Sequence, residues 1–272
     1  MTRTVLLRTG ALGDFICTLP ILDRARREST HLTVIAPARF SALFQHADEW
    51  IDSDGPETTA LFAGKRPLNA DLGIAWTATG AETLRQNGAL QVAAGSPLPP
   101  GAVHILDHLW TPLAPLWGPR STDPRLAPSA EAIARLRARG GPPRPLVIAP
   151  GSGGAAKRRA LAWWRELAER WNGPSVWVSG PVEAGEIGWG SPHWQDVDLS
   201  ELIALAASCF AWVGPDSGPS HLAAAAGARV GVLFNEATNP DNWAPPRARV
   251  FDDAASLETW VQWIAAGRSL EL

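Results

Sequence analysis

The stretch WVGPDSGPSHLAAAAGARVGVLF, residues 212–234, reads as a buried strand, a tight acidic turn and a small-residue helix that begins on the turn. Phe210–Val213 is a short apolar run, and Gly214–Gly218 supplies the turn chemistry. Pro219 sits near the first helical position, where its missing N–H would have no intrahelical acceptor anyway. The helix is therefore predicted to start close to Ser217. Its amides, at Ser220 and His221 among others, and the positive end of its dipole then point into the loop and offer a receptor for phosphate. Ala223–Ala226 leaves almost no side chain on several faces, so the helix can lie close against a sheet. An ordinary strand–helix junction with Ser217 or Asp216 as N-cap would carry the same residues, so the reading depends on what else the chain contains.

Two further junctions share the plan. In VLLRTGALGDFICTLP, residues 5–20, a buried strand runs into a loop with two glycines, and Ile16, Leu19 and Leu22 follow at helical spacing. Asp14 falls at a helix N-terminus beyond the carboxyl end of a strand, where a carboxylate serves as a functional base or as a favourable first-turn charge. Gly10-Ala11-Leu12-Gly13 lacks the full G-x-G-x-x-G dinucleotide pattern. In LVIAPGSGGAAKRRALAWWRELAERW, residues 146–171, Leu146–Ala149 is the strand and Pro150–Ala156 the loop. Leu161, Trp164, Leu167, Ala168 and Trp171 make the apolar stripe of a helix. Lys157 is one of two lysines among 24 basic residues, the other being Lys65. A lysine kept on a glycine loop is a point charge suited to a phosphate, although Lys157-Arg158-Arg159 also reads as a solvated basic run.

Strands are predicted near 5–8, 32–36, 71–76, 90–93 and 101–106, and again near 146–149, 175–178, 210–213, 229–234 and 248–251. Their alternation with helices argues for an α/β fold with parallel sheets. The Pro/Gly/Arg-rich stretch 120–145, with a short amphipathic helix at Ser129–Arg139, divides the chain. The expected division is a domain over 1–125, a linker over 126–145 and a domain over 146–272, ending in a helix at 256–266. At 272 residues, 46% apolar and 19% charged, the chain supports two domains of about 130 residues each. A net charge of −3 gives no reason to expect nucleic acid as a partner. Cys17 and Cys209 lie far apart in apolar patterns and read as buried thiols. His193 and His221 are too isolated for a metal cluster, and no metal or cofactor is expected. No segment has the length of a membrane-spanning helix, and the first residues lead straight into a strand, as in a cytoplasmic enzyme. Trp occurs 14 times and Tyr never. Trp164 and Trp171 read as core; Trp110, Trp117, Trp189, Trp194 and Trp243 lie in irregular stretches where packing, or stacking on a sugar, is open.

RTGALGDFICTLPIL, APGSGGAAKRRALAWWRELAER and VGPDSGPSHLAAAAG, in this order, resemble the three signature regions of family 9 glycosyltransferases, the ADP-heptose:lipopolysaccharide heptosyltransferases. The resemblance implies a GT-B fold: two Rossmann-like domains with parallel sheets facing each other across a cleft. The acceptor side lies in the first domain and the nucleotide-sugar site in the second, and in such proteins the last helix often crosses back to the first domain. It implies Asp14 as the general base for the acceptor hydroxyl and Lys157 beside the donor diphosphate. Gly13, Ser152, Glu183, Asp216, Ser217, Gly218, Ser220 and His221 are the further donor positions, Glu183 toward the ribose. The implied partners are an ADP-linked sugar donor and a glycan or glycolipid acceptor, with peripheral contact to the inner membrane. Two departures bear on substrate: the N-terminal half is short where the acceptor should bind, and Phe234-Asn235-Glu236-Ala237-Thr238-Asn239-Pro240 replaces the family's G-P-T-D-P-like run. The competing readings are a non-catalytic nucleotide-sugar-binding module, against which the complete GALGD loop speaks, and a dinucleotide oxidoreductase, against which the incomplete glycine fingerprints speak.

Overall fold

Val5, Leu6 and Leu7, all buried, form the middle of the first sheet in the computed structural model, which describes residues 2–183 and 188–267. They belong to β1 (Arg3–Leu7), which is flanked on both sides by parallel partners and so carries apolar residues on both faces. The chain divides into two units, Met1–Pro124 and Arg125–Leu272. In the first, β1 is followed by α1 (Leu12–Ile16), α2 (Leu19–Glu28), β2 (His31–Ala36), β3 (Glu49–Asp52), α3 (Glu57–Phe62), β4 (Leu72–Ala75), α4 (Ala78–Gln86), β5 (Gln91–Ala94), α5 (Ile105–Trp110) and α6 (Ala114–Trp117). Pro20 cannot donate a backbone hydrogen bond, so the helical path breaks at Cys17 and Thr18, where the Thr18 hydroxyl donates to the Phe15 carbonyl at 2.6 Å.

The second unit begins with α7 (Ala130–Arg139) and continues with β6 (Leu146–Ile148), α8 (Leu161–Trp171), β7 (Ser175–Ser179), β8 (His193–Gln195), α9 (Leu199–Ser208), β9 (Ala211–Pro215), α10 (Gly218–Ala225), β10 (Val230–Leu233), α11 (Pro240–Trp243), β11 (Arg249–Phe251) and α12 (Leu257–Ala266). Residues 126–145, expected as a linker, lie inside this unit. The Leu126 amide donates to Ala225 at 2.9 Å, and Arg139 on α7 pairs with Glu201 on α9 at 2.8 Å. The described residues of the last helix pack on others of this unit. Trp260 on α12 is fully buried, stacks on Phe251 with ring centres 3.8 Å apart, and meets Trp164 of α8 edge-on.

Both sheets are parallel throughout, in the orders β3-β2-β1-β4-β5 and β11-β10-β9-β6-β7-β8. Each chain path starts in the middle of its sheet, moves to one edge, then returns to fill the other side. The reversal falls between β1 and β4 in the first unit and between β6 and β9 in the second. Helices leave the two central strands in opposite directions at such a point, which opens a crevice at the carboxyl ends of the strands.

Three details differ from the sequence expectation. Residues 101–106 do not form a strand: His104 Nδ1 accepts from the Leu106 amide at 3.3 Å and caps α5, whose Ile105, Leu106, Leu109 and Trp110 are buried at helical spacing. The edge strands β3 and β8, of four and three residues, were not foreseen. Both pair on one side only and carry polar residues, so neither shows an apolar run.

Candidate donor site and candidate base

The site in the second unit is built where β6 and β9 end side by side. Gly214 on β9 lies so close to β6 that a β-carbon there would stand 2.5 Å from the Ala149 carbonyl oxygen. Only glycine lets the two strand ends meet this closely. Beyond them, α10 starts with Ser217 at its N-cap and Pro219 in its first turn, as the sequence predicts. The cap is not made by a side chain; the Ser217 hydroxyl lies 3.2 Å from that of Ser220, which donates to the Pro215 carbonyl at 2.8 Å. Ser220 is fully buried, and its hydroxyl shapes the turn. One expectation is corrected here: the His221 amide donates within the helix to Ser217 at 3.2 Å and is not free. The helical ladder offers no acceptor to the amides of Gly218 and Ser220.

Asp216 lies between the loop after β6 and His221 of α10. Its carboxylate accepts from Lys157 Nζ at 2.7 Å, and His221 Nε2 stands 3.7 Å from its other oxygen, an ion-pair separation. Ser152, buried, donates to the Asp216 carbonyl at 3.3 Å and so joins the same two loops. A short 3-10 turn, Ala155–Lys157, raises the lysine to this position. Burial pushes the Asp216 carboxyl upward, but contacts from His221 and Lys157 outweigh it and hold its pKa below the ordinary carboxylate value.

A second ion pair lies beside the first. The Arg158 guanidinium donates through Nε to the Ser152 carbonyl at 2.7 Å and reaches Glu183 Oε1 with Nη2 at 3.3 Å. Glu183 Oε2 accepts from the Gly180 amide at 3.0 Å, and the residue is 6% exposed. A β-carbon on Gly151 would collide with this carboxylate at 2.5 Å. A cavity of about 230 Å³ is lined by Gly151, Arg158, Glu183 and Trp189 among others, and a larger one, about 940 Å³, opens at the ends of β10 and β11 over Ala156, Phe234, Asn235 and Asp252. Ala156 of the turn that carries Lys157 lines the larger cavity, and Arg158 and Arg159, directly after the turn, line the smaller. Asn235 fixes that turn from the far side by donating to the Ala156 carbonyl at 2.7 Å. The structure therefore brings together Ser152, Lys157, Asp216, Ser217, Gly218, Ser220 and His221, and joins Glu183 to them through Arg158. Sequence reasoning named neither Arg158 nor Asn235 as a site residue. The basic run 157–159 was the only signal for Arg158.

Gly13 and Asp14 lie in the first unit, at the reversal between β1 and β4. Both are half-buried in the short helix α1. Asp14 Oδ2 accepts from the Ala11 amide and Oδ1 from Arg8 Nη2, each at 3.1 Å. Arg8, immediately after β1, is 4% exposed, and its guanidinium lies 5.5 Å from the ring centre of Trp76 at the end of β4. Burial pushes the Arg8 pKa below its ordinary value, against the pull of Asp14 and Cys17. Among the described residues no group of three or more His, Cys, Asp or Glu is arranged to hold a metal, and no helix is long and apolar enough to cross a membrane. Neither cysteine is in a disulfide, and burial pushes the Cys209 thiol up to about 12.

Residues 121–252, which include every donor-site residue described in the second unit, match the model of glycosyltransferase family 9 (heptosyltransferase). Over this segment the chain is similar to glycosyltransferase family 9. A search of the curated proteins finds no match. Among solved structures, a family 9 glycosyltransferase from Veillonella parvula superposes with a TM-score of 0.75 at 18% identity, over 99% of this chain and 89% of that one. The ADP-heptose lipopolysaccharide heptosyltransferase II of E. coli gives 0.75 at 16%, over 99% of each. E. coli heptosyltransferase WaaC with ADP gives 0.69 at 15%, over 97% and 99%. At these identities the likeness is one of fold. The chain has the pair of parallel-sheet α/β units found in GT-B glycosyltransferases, and residues 121–252 are similar to the heptosyltransferase family.

Proposed function

We propose that the chain transfers a sugar from a nucleotide-diphosphate donor, ADP-heptose first among the candidates, to a hydroxyl of a glycan or glycolipid. The observation that carries this reading is the Lys157–Asp216 pair at the start of α10, held between the ends of β6 and β9. A lysine ammonium has three donors, so Lys157 can keep its bond to Asp216 and still donate to a phosphate. With the amides at the start of α10 it stabilises the charge that collects on the departing diphosphate as the bond to the anomeric carbon breaks. Glu183, at the smaller cavity, accepts from the ribose hydroxyls; the larger cavity, over Phe234 and Asn235, takes the sugar. Asp14 removes the proton from the acceptor hydroxyl as its oxygen attacks. In support, a fold neighbour, E. coli heptosyltransferase WaaC, was solved with ADP. A glycolipid acceptor would bring the protein to the inner-membrane surface as a peripheral visitor from the cytoplasmic side.

Ligand-dependent melting tests the donor site. ADP at about 100 times its dissociation constant should stabilise the protein by about 2.7 kcal/mol, and adenosine at the same concentration should do far less. Lys157→Ala leaves the buried Asp216 without its cation and lowers the starting stability, so the comparison that counts is the ratio of ADP to adenosine affinity within each protein. That ratio should fall about tenfold or more. Equal responses to both ligands, or a response to NAD alone, would overturn the reading. Transfer itself is read as ADP released from ADP-heptose in the presence of a panel of glycoside acceptors, with water as the basal acceptor.

A further inference from the structure

The pair formed by Arg8 and Asp14 is lopsided. The arginine is 4% exposed, whereas the Asp14 side chain is 30% exposed. Nε of the guanidinium is buried with no hydrogen-bond partner, and the guanidinium lies by the face of Trp76, whose indole N–H donates to the Leu109 carbonyl at 3.0 Å. Burying an arginine and leaving one donor unpaired is costly, and replacing such a pair by apolar groups is often neutral for stability. A stabilising role therefore explains the arrangement poorly. What the arrangement does achieve is orientation. One oxygen of Asp14 is held by Arg8 and the other by the Ala11 amide, each at 3.1 Å. An ionised carboxylate accepts at about four lone-pair sites, so each oxygen keeps one site for a proton from outside.

We infer that Arg8 is a positioning residue: from its buried place against Trp76 it fixes the Asp14 carboxylate so that its free lone pairs face outward. The inference rests on the reading of Asp14 as the base, and it adds that the base depends on a cation which itself touches no substrate. A misplacement of about 1 Å at a reacting group can cost on the order of 10²-fold in rate, so the effect falls on turnover and not on donor binding.

The test is a cycle of Arg8→Met, Arg8→Lys, Asp14→Asn and the Arg8→Met/Asp14→Asn double variant, assayed by ADP release from ADP-heptose, together with crystal structures of the single Arg8 variants. Arg8→Met should lower kcat by about 10- to 100-fold with donor KM within about twofold of the parent, and Arg8→Lys should recover most of the loss. In the Asp14→Asn background, Arg8→Met should cost no more than about twofold further, because its only effect is exerted through Asp14. In the Arg8→Met crystal structure Asp14 should leave its position against the Ala11 amide. An Asp14 side chain unmoved in that structure, or a loss of kcat as large in the Asp14→Asn background as in the parent, would overturn the inference. An Asp14→Asn protein that transfers normally would instead remove the assignment of the base, and the crystallographic result would still decide whether Arg8 sets the position of this carboxylate.

Discussion

At the scale of single residues, the site consists of buried charges whose partners come from distant parts of the chain. Asp216 is the clearest case. Its folded-state pKa lies below the ordinary value, so its pairing stabilises the protein above the unfolded pKa of about 3.9, and that stability is lost as pH falls through the lower folded value. The melting temperature of the parent should therefore exceed that of Asp216→Asn at about pH 5, and the gap should narrow as pH falls below about 4. A gap independent of pH would mean that the carboxylate's charge contributes nothing. Asp216 and Lys157 were legible in the sequence because each is anomalous locally, an acidic residue in a turn after a buried strand and a rare lysine on a glycine loop. Arg8 and Arg158 were not. An arginine is an ordinary residue in this chain, and its role is set by a partner, Asp14 or Glu183, whose position only the tertiary structure gives.

At the scale of elements, the reading succeeded where strands run apolar and are flanked on both sides, as β1, β6 and β9 are. It failed at β3 and β8, whose burial is partial and whose identity as strands comes from the neighbour they pair with, and at 101–106, where a helix cap outweighed β-branched residues. The loop between β6 and the Lys157 turn also shows why glycine recurs there. Gly151 gives space to the Glu183 carboxylate, 2.5 Å from where a β-carbon would stand. Gly151→Ala should push Glu183 off the Gly180 amide and away from Arg158 while the surrounding strands stay in place. We expect ADP affinity to drop about tenfold with pyrophosphate affinity changed less than about twofold, both measured by calorimetry; parallel losses for the two ligands would show that the whole loop had moved.

At the scale of the whole molecule, two units of the same plan carry different chemistry at corresponding places, an ion-paired carboxylate after the first strand of one and a lysine–aspartate clasp between the central strands of the other. The plan was legible from the three glycine junctions; the assignment of residues 126–145 to the second unit was not, because only the packing of α7 on α9 shows it. If the units serve one reaction, ADP-heptose should slow hydrogen exchange in the loops at 150–157 and 9–14 alike. Protection confined to 150–157 would favour a module that binds the donor without transferring it.

The pairing of charges in the donor site has a kinetic consequence. Lys157 with Asp216 and Arg158 with Glu183 leave the four residues with no net formal charge, and the chain as a whole carries −3. A diphosphate approaching from a distance meets no excess of formal positive charge in these two pairs, so its capture depends mainly on short-range contacts made after arrival. The association rate constant of ADP, measured by stopped flow, should therefore change by less than about threefold between low and high ionic strength. Asp216→Asn leaves one uncompensated cation in the site, and that variant should acquire the salt sensitivity that the parent lacks.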